Sequence, residues 1–275
     1  MTPAEKQYQT QTVPQSRIAT FDVGAISKTK HQVAALLELD VTDARLKLRQ
    51  LKSAGERLSF TAWLISVIAS TLNNHREAAG YLSGKRKLFL FDHVNMSIVV
   101  EKDVGNKKVP IPLVIEKCEQ KSAQDITAEI RAAKEKSFSE TDVVLHRKPS
   151  VAEKIYYYLP GFLRRLIWRF MLSHPKIAYK NMGNAVLTSI GMMGRFNGWF
   201  LHTSIHPISF GIGSIIKKPW VVEGEIQIRE ILNMTILLDH NVIDGAPMAR
   251  FISDLTRGIE NGAGLEPAER EQHSE

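Results

Sequence analysis

Alternation of apolar and polar residues divides most of the chain into short elements. Residues 31–41 (HQVAALLELDV) end in strict alternation, which predicts a strand with one buried face. Thr42 is placed to cap a helix in which Ala44, Leu48 and Leu51 share a face, and Gly55 stops it. A second helix over residues 59–79 is apolar on nearly every side through WLISVIASTL, so it should be a core element. Strand-like runs follow at 87–91, 94–101 and 109–116, with Gly105-Asn106 as a turn between the last two. Ser122 and Asp125 have the spacing of a capping box, opening a helix with Ile126, Ile130 and Ala133 on one side. Strands resume at 185–190, 208–216, 221–228 and 231–238. A last helix carries Met248, Phe251, Ile252, Leu255 and Ile259 on one stripe, with Pro247 in its first turn and Asn261-Gly262 at its end.

Strands and helices that do not strictly alternate point to an α/β or α+β layer structure. The sequence shows no internal repeat and no low-complexity linker. It therefore reads as one folded body over residues 17–262, between polar tails at 1–16 and 263–275. Residues 140–182 form a long middle segment, VAEKIYYYLPGFLRRLIWRFMLSHPKIAY at its centre, whose Tyr, Trp, Phe, Leu and Arg suit a pair of amphipathic helices. Three readings are open for this insertion: a packed elaboration, a wall for a bulkier substrate pocket, or an interfacial helix touching acidic lipid through 155–172.

Charge narrows the picture less than pattern does. A formal net charge of +7 favours an anionic counterpart, whether nucleic acid, acidic lipid, an acidic carrier protein or a phosphate-bearing cofactor, without choosing among them. Cys118 is the single cysteine, which excludes an internal disulfide and a cysteine-based zinc site and fits a reducing cytoplasm. The first seventeen residues lack the apolar core of a signal peptide. The greasiest stretch, 155–172, holds Pro160, Gly161, Arg164, Arg165 and Arg169, so it is not read as a membrane span. A soluble, cytoplasmic chain is expected.

The candidate chemistry centres on LLDHNVIDGAPMARF. If the strand at 231–238 keeps its alternation, His240 leaves the core side at the strand's end, in a partly buried cleft. An imidazole there could take a proton from a thiol, hydroxyl or amine near neutral pH; the alternative is a structural histidine at a turn. His202 and His206 have ligand spacing, but they lie in loop and strand with Pro207 following, so no metal is expected. The pairs Gly191 with Gly194, and Gly211 with Gly213, lack the strand and helix context of a dinucleotide site and read as tight turns or close packing. Lys217-Lys218 and Lys107-Lys108 are either solvated charge or contacts for the phosphates of a bound ligand.

NMTILLDHNVIDGAPMARFISDL resembles the catalytic domain of the 2-oxoacid dehydrogenase acyltransferases and, more distantly, chloramphenicol acetyltransferase, which share His-x-x-x-Asp-Gly after a strand. AVLTSIGMMG, SIHPISFGIGSIIKKP, KHQVAALLELDVTDARLKLRQLK and ERLSFTAWLISVIASTLNNH resemble further segments in the family's order. The resemblance implies a two-layer sandwich with a mixed sheet and helices on one face, and an acyltransferase using coenzyme A or another thiol carrier. It implies His240 as general base, Asp244 and Gly245 as loop-shaping residues, and Arg17 as partner of Asp244. Thr188 would donate to the oxyanion, with Ser189 as the alternative; adjacent strand residues face opposite ways, so only one of them can reach the site. It also implies a homotrimer with sites between subunits, and no metal.

The chain departs from the pattern at Asn241, where arginine is usual, at Thr188, where serine is usual, and at 140–182. Only about sixteen residues precede the catalytic core, so the expectation is an acyl carrier protein or lipoyl domain acting in trans and no lipoyl group on this chain. Nucleic acid is not expected as a partner. Two other functions compete: an oligomeric scaffold that has lost its substrates, and a thioester hydrolase using water as acceptor.

Overall fold

In the computed structural model the described residues are 9–13, 16–84, 86–104, 107–135, 151–190 and 196–265; of residues 16, 101–104, 107–111 and 151–154 only the backbone is described. The elements in order are α1 (Ser16–Ser27), β1 (Gln32–Asp40), α2 (Thr42–Ser53), α3 (Phe60–Asn74), β2 (Tyr81–Ser83), β3 (Lys87–Phe89), β4 (Met96–Val104) and β5 (Lys107–Ile115). They continue as α4 (Ala123–Glu135), α5 (Val151–Tyr158), α6 (Gly161–Ser173), α7 (Pro175–Met182), β6 (Ala185–Ser189), β7 (Ile208–Val222), β8 (Glu225–Asp239) and α8 (Gly245–Glu260).

Six strands make one mixed sheet in the order β1-β8-β7-β6-β4-β5, parallel at β4/β6 and β6/β7 and antiparallel elsewhere. One face carries the main core. Leu187, Phe210, Ile212, Met234 and Ile236 belong to the same buried cluster as Leu48 of α2, Trp63 and Ile68 of α3, Ile126 of α4 and Phe251 of α8. This is the α/β sandwich with helices on one face that the pattern and the resemblance imply. α3 is buried on most sides, as its unbroken apolar run requires, because the sheet, α4 and α8 all press on it. Ser122 and Asp125 form the expected capping box, with Ser122 Oγ accepting from the Asp125 N–H at 3.1 Å and Asp125 accepting from the Ser122 N–H at 3.1 Å.

Two sequence expectations need correction. Thr42 is the first residue of α2 and does not cap it: its hydroxyl donates to Asp40 Oδ1 at 2.6 Å and accepts the Glu230 N–H at 2.7 Å, so it ties the helix to the edge of β8 instead. The stretch 221–228 is not one strand. Glu223 (φ 50°) and Gly224 (φ 86°) form a two-residue turn that joins β7 to β8, and apolar alternation running through both arms hid it. The first described helix starts at Ser16, and at the other end contacts with the core continue past residue 262. There Trp63 Nε1 donates to the Ala263 carbonyl at 2.8 Å, and Leu265 is buried. The Gly105-Asn106 turn and the Gly191, Gly194 pair lie outside the described residues.

The described part of the insertion is helical, as expected. α6 packs on α1, and α7 and β2 close a second, smaller core around Ile26, Tyr81, Ala178, Met182 and Ile205. A buried carboxylate locks it: Asp22 of α1 accepts from Arg164 Nε at 2.7 Å and from Tyr156 Oη at 2.8 Å, and Trp168 Nε1 donates to the same tyrosine oxygen at 2.9 Å. Burial pushes the Tyr156 phenol up to about 12, so it stays a donor.

Where α7 meets β6 the chain leaves no room. Gly183 has φ 71°, and a Cβ there would fall 2.2 Å from the Asn95 carbonyl oxygen, while the Gly183 carbonyl accepts from Tyr81 Oη at 2.6 Å. Asn184 and Asn95 then bond reciprocally, at 3.0 and 2.9 Å, which fixes the start of β6. Gly183→Ala should therefore cost at least about 2 kcal/mol by combining backbone strain with a hard contact. Urea denaturation is the measurement, and an unchanged midpoint would show that this junction can relax.

Candidate active site

Strand register decides where the hydroxyls of β6 point. Thr188 pairs with Gly211, which pairs with Thr235, so these three share the sheet face away from the main core. Ser189 pairs with Ile212, which pairs with Met234, and both of those belong to the main core cluster. Ser189 thus faces the helix side. On that face His202 lies over Gly211, where a Cβ would come 2.8 Å from its Nδ1, and its Nε2 is 2.9 Å from Ser209 Oγ. Gly211 and Gly213 accordingly serve close packing. Among the described residues, the buried side-chain atoms without a hydrogen-bond partner are His202 Nδ1, Asn233 Oδ1 and Thr235 Oγ1. Asn233 and Thr235 sit two residues apart on β8, on the face that Thr188 shares, so hydrogen-bonding capacity is unused beside it.

His240 lies just beyond β8, in a turn rather than in the strand, and its side chain is exposed in the single chain instead of partly buried. Its backbone is held firmly. The His240 N–H donates to the His31 carbonyl at 2.8 Å. The residue before it, Asp239, is buried and accepts from Lys30 Nζ at 2.7 Å, from Asn241 Nδ2 at 3.0 Å and from the Asn241 N–H at 3.2 Å. Asn241 Oδ1 is 3.1 Å from His31 Nδ1. Asn241, in the position where arginine is usual, therefore knits the loop to the segment preceding β1. Lys30, His31 and Asp239 were missed in the sequence; the available signal was a carboxylate closing the apolar run ILLD at the end of the strand.

Thr188 and His240 do not meet within one chain. His240 is five residues beyond Thr235 along β8, and β6 lies two strands from β8, which separates them by roughly 19 Å. Asp244 occupies the position before α8, exposed and without a side-chain capping bond, and among the described residues no ion pair joins it to Arg17. Arg17 is instead on α1 with its guanidinium 5.9 Å from the Phe21 ring centroid; the helix that carries it turns its acidic residue, Asp22, toward Arg164. Gly245 opens α8 with ordinary backbone, and a Cβ there would touch nothing within the chain.

Within one chain the lysine pair lies far from Thr188. Lys217 and Lys218 lie six and seven residues beyond Gly211 on β7, roughly 20 Å or more away. Lys218 is paired with Glu38 and stands 5.1 Å from the Trp220 ring, whereas Lys217 is exposed. Lys107 and Lys108 lie in β5, with side chains outside the described residues. Cys118 is buried, and burial pushes its thiol up to about 12, which leaves it protonated and unreactive. His206 is buried with Nε2 2.9 Å from the Met182 carbonyl, and burial lowers its pKa to about 4; burial also lowers that of His202.

A mixed sheet with helices packed on one face, buried polar groups on the other and a histidine just beyond a strand end is an α/β architecture. The family model described as 2-oxoacid dehydrogenases acyltransferase (catalytic domain) matches residues 6–142 and 176–265, and the chain belongs to that family. The unmatched stretch between these segments holds α5 and α6. The chain is 37% identical over 70 residues to the dihydrolipoyllysine-residue acetyltransferase component of pyruvate dehydrogenase complex from Acholeplasma laidlawii, covering 26% of this chain and 13% of that one. It is 24% identical over 267 residues to the corresponding Staphylococcus epidermidis component, covering 92% of this chain and 51% of that one. The chain thus spans about half the length, or less, of these curated relatives. A structure of Azotobacter vinelandii dihydrolipoamide acetyltransferase, from work on the role of a serine, a histidine and an asparagine in its mechanism, superposes with a TM-score of 0.66 at 18% identity, covering 96% of this chain and 98% of that one. This last likeness shows the fold. Among the described residues, no helix is long and apolar enough to cross a membrane.

Two outcomes follow from the buried charges. Lys30→Met leaves Asp239 buried without its cation and should destabilise the chain by about 2–3 kcal/mol, allowing for the partial exposure of Lys30; equal unfolding midpoints would show the pair to be idle. For His206 the folded pKa of about 4 lies below the ordinary 6.5, so the unfolded chain binds the extra proton between these values. Stability should fall by about 3 kcal/mol as pH drops from 6.5 to 4, and His206→Asn should flatten that part of the profile. A slope unchanged in His206→Asn would assign the acid sensitivity elsewhere.

Proposed function

We propose that this chain transfers an acyl group between the thiol of coenzyme A and a second thiol of dihydrolipoyl type, in a site assembled from neighbouring copies of a homotrimer. His240 of one copy takes the proton from the attacking thiol. The thiolate adds to the thioester carbonyl carbon, and the hydroxyl of Thr188 from the adjacent copy donates to the oxyanion that forms. Collapse breaks the original carbon–sulfur bond, and the departing thiolate recovers the proton from the His240 imidazolium. The thioester is the acyl donor, so no oxidant and no metal enters the reaction.

The observation that carries this reading is the separation of Thr188 from His240 within a chain whose backbone holds both rigidly. Two further features support it. In the Azotobacter enzyme the serine and histidine are 52 positions apart and the asparagine follows the histidine by four; Thr188, His240 and Asp244 repeat that spacing. The β7–β8 hairpin ends in exposed apolar residues, Val221, Ile226 and Ile228, which suits burial against another copy. Asp244 and Gly245, idle inside one chain, then shape the loop at the contact between copies. The register favours Thr188 over Ser189 as the donor.

Acetyl transfer from acetyl-coenzyme A to dihydrolipoamide is the assay. His240→Ala should lower turnover by about 10²–10⁴-fold and Thr188→Ala by about 10²–10³-fold, with Thr188→Ser retaining most activity. Co-refolding the two alanine variants should restore about a quarter of the sites, because some interfaces then pair an intact His240 with an intact Thr188. Full turnover in His240→Ala, or mixtures no more active than their parts, would refute the shared site.

A further inference from the structure

α6 presents two faces of different character. Its inner side, with Arg164, Trp168, Met171 and Leu172, packs toward α1 and α7 and is locked through Asp22. Its outer side carries Phe162, Leu166 and Phe170 at successive four-residue spacing, 64%, 60% and 56% exposed. Large apolar side chains in a row on a surface helix mark a docking face rather than scattered exposure. Arg165 and Arg169 lie along one edge of this stripe, exposed and without an ion-pair partner among the described residues.

The charge around the stripe is one-sided. From residue 154 to residue 222 the sequence has nine Lys or Arg and no Asp or Glu. The acid that α6 uses, Asp22, comes from α1 and is consumed by Arg164 on the inner face. A second copy docked two-fold on this stripe would set Arg165 and Arg169 against their own counterparts. The stripe also falls between the two segments that match the family, so it is not part of the surface that family members share.

We propose that α6 is an interfacial anchor that lies flat on an anionic lipid bilayer, with Phe162, Leu166 and Phe170 among the upper acyl chains and Arg165 and Arg169 on the phosphate headgroups. A helix about 20 Å long with three large apolar groups on one side and arginines along the edge has the geometry for this. The two arginines add selectivity for acidic lipid, and the absence of carboxylates over 69 residues removes the repulsion that would oppose it. The attachment is peripheral and reversible. It does not depend on the acyl-transfer reading.

Co-sedimentation of the full chain with vesicles tests it. Binding is expected to phosphatidylcholine mixed with phosphatidylglycerol and not to phosphatidylcholine alone, and to weaken as salt is raised. Replacing both Arg165 and Arg169 by Gln should weaken binding about 30-fold, about 5-fold for each charge. Phe162→Ser with Phe170→Ser should weaken it by about 10-fold or more, while acetyl transfer between soluble substrates, thermal stability and oligomeric state stay as in the parent. No binding to the acidic vesicles, equal binding to both kinds, or a change of oligomeric state in the phenylalanine variant would overturn the proposal; the last would make the stripe a protein contact.

Discussion

The register of β8 between β1 and β7 governs the rest of the structure. Ile231 to Asp239 are buried without interruption, because one face meets the helices and the other is covered as well, so the strand cannot slide without exposing one set of side chains and burying another. With Leu238 opposite Ile208 and Val33, the strand ends where Asp239 can drop its carboxylate onto Lys30. The same register carries across β7 into β6 and turns Thr188 away from the helices. A slip by one residue would reverse Thr188 and Ser189 and move His240 off its bond to His31.

Much of this was legible because burial writes itself into the sequence as periodicity. The core face of α8 and the buried character of α3 read directly from apolar spacing, and so did the capping box at Ser122. The Glu223-Gly224 turn was not legible in the same way. Val221, Ile226 and Ile228 keep the alternation going on both sides of it, and only the left-handed backbone of the two turn residues interrupts the strand. Thr42 was misread for a related reason: a hydroxyl before a helix usually caps it, but the edge of β8 offered a competing N–H.

The site was legible in part. Among the candidates, His240 stood out by residue type and spacing and Thr188 only through the family resemblance, whereas Lys30, His31 and Asn241 gained meaning only when the sheet brought residue 30 beside residue 239. Charge was the poorest guide. Within one chain Lys218 is paired with Glu38 and stands near Trp220, and Arg17 stands near Phe21. Electrostatic partners are set by tertiary placement, and neighbours in sequence say little about them.

The wide spacing of Thr188 and His240 along one sheet bears on how such a chain responds to dilution. If the two groups meet only across a contact between copies, turnover per chain becomes a function of protein concentration, and the dissociation constant of the assembly enters the rate as surely as any barrier. A mutation on the exposed hairpin tip, remote from either group, would then act as a catalytic defect that vanishes in concentrated solution.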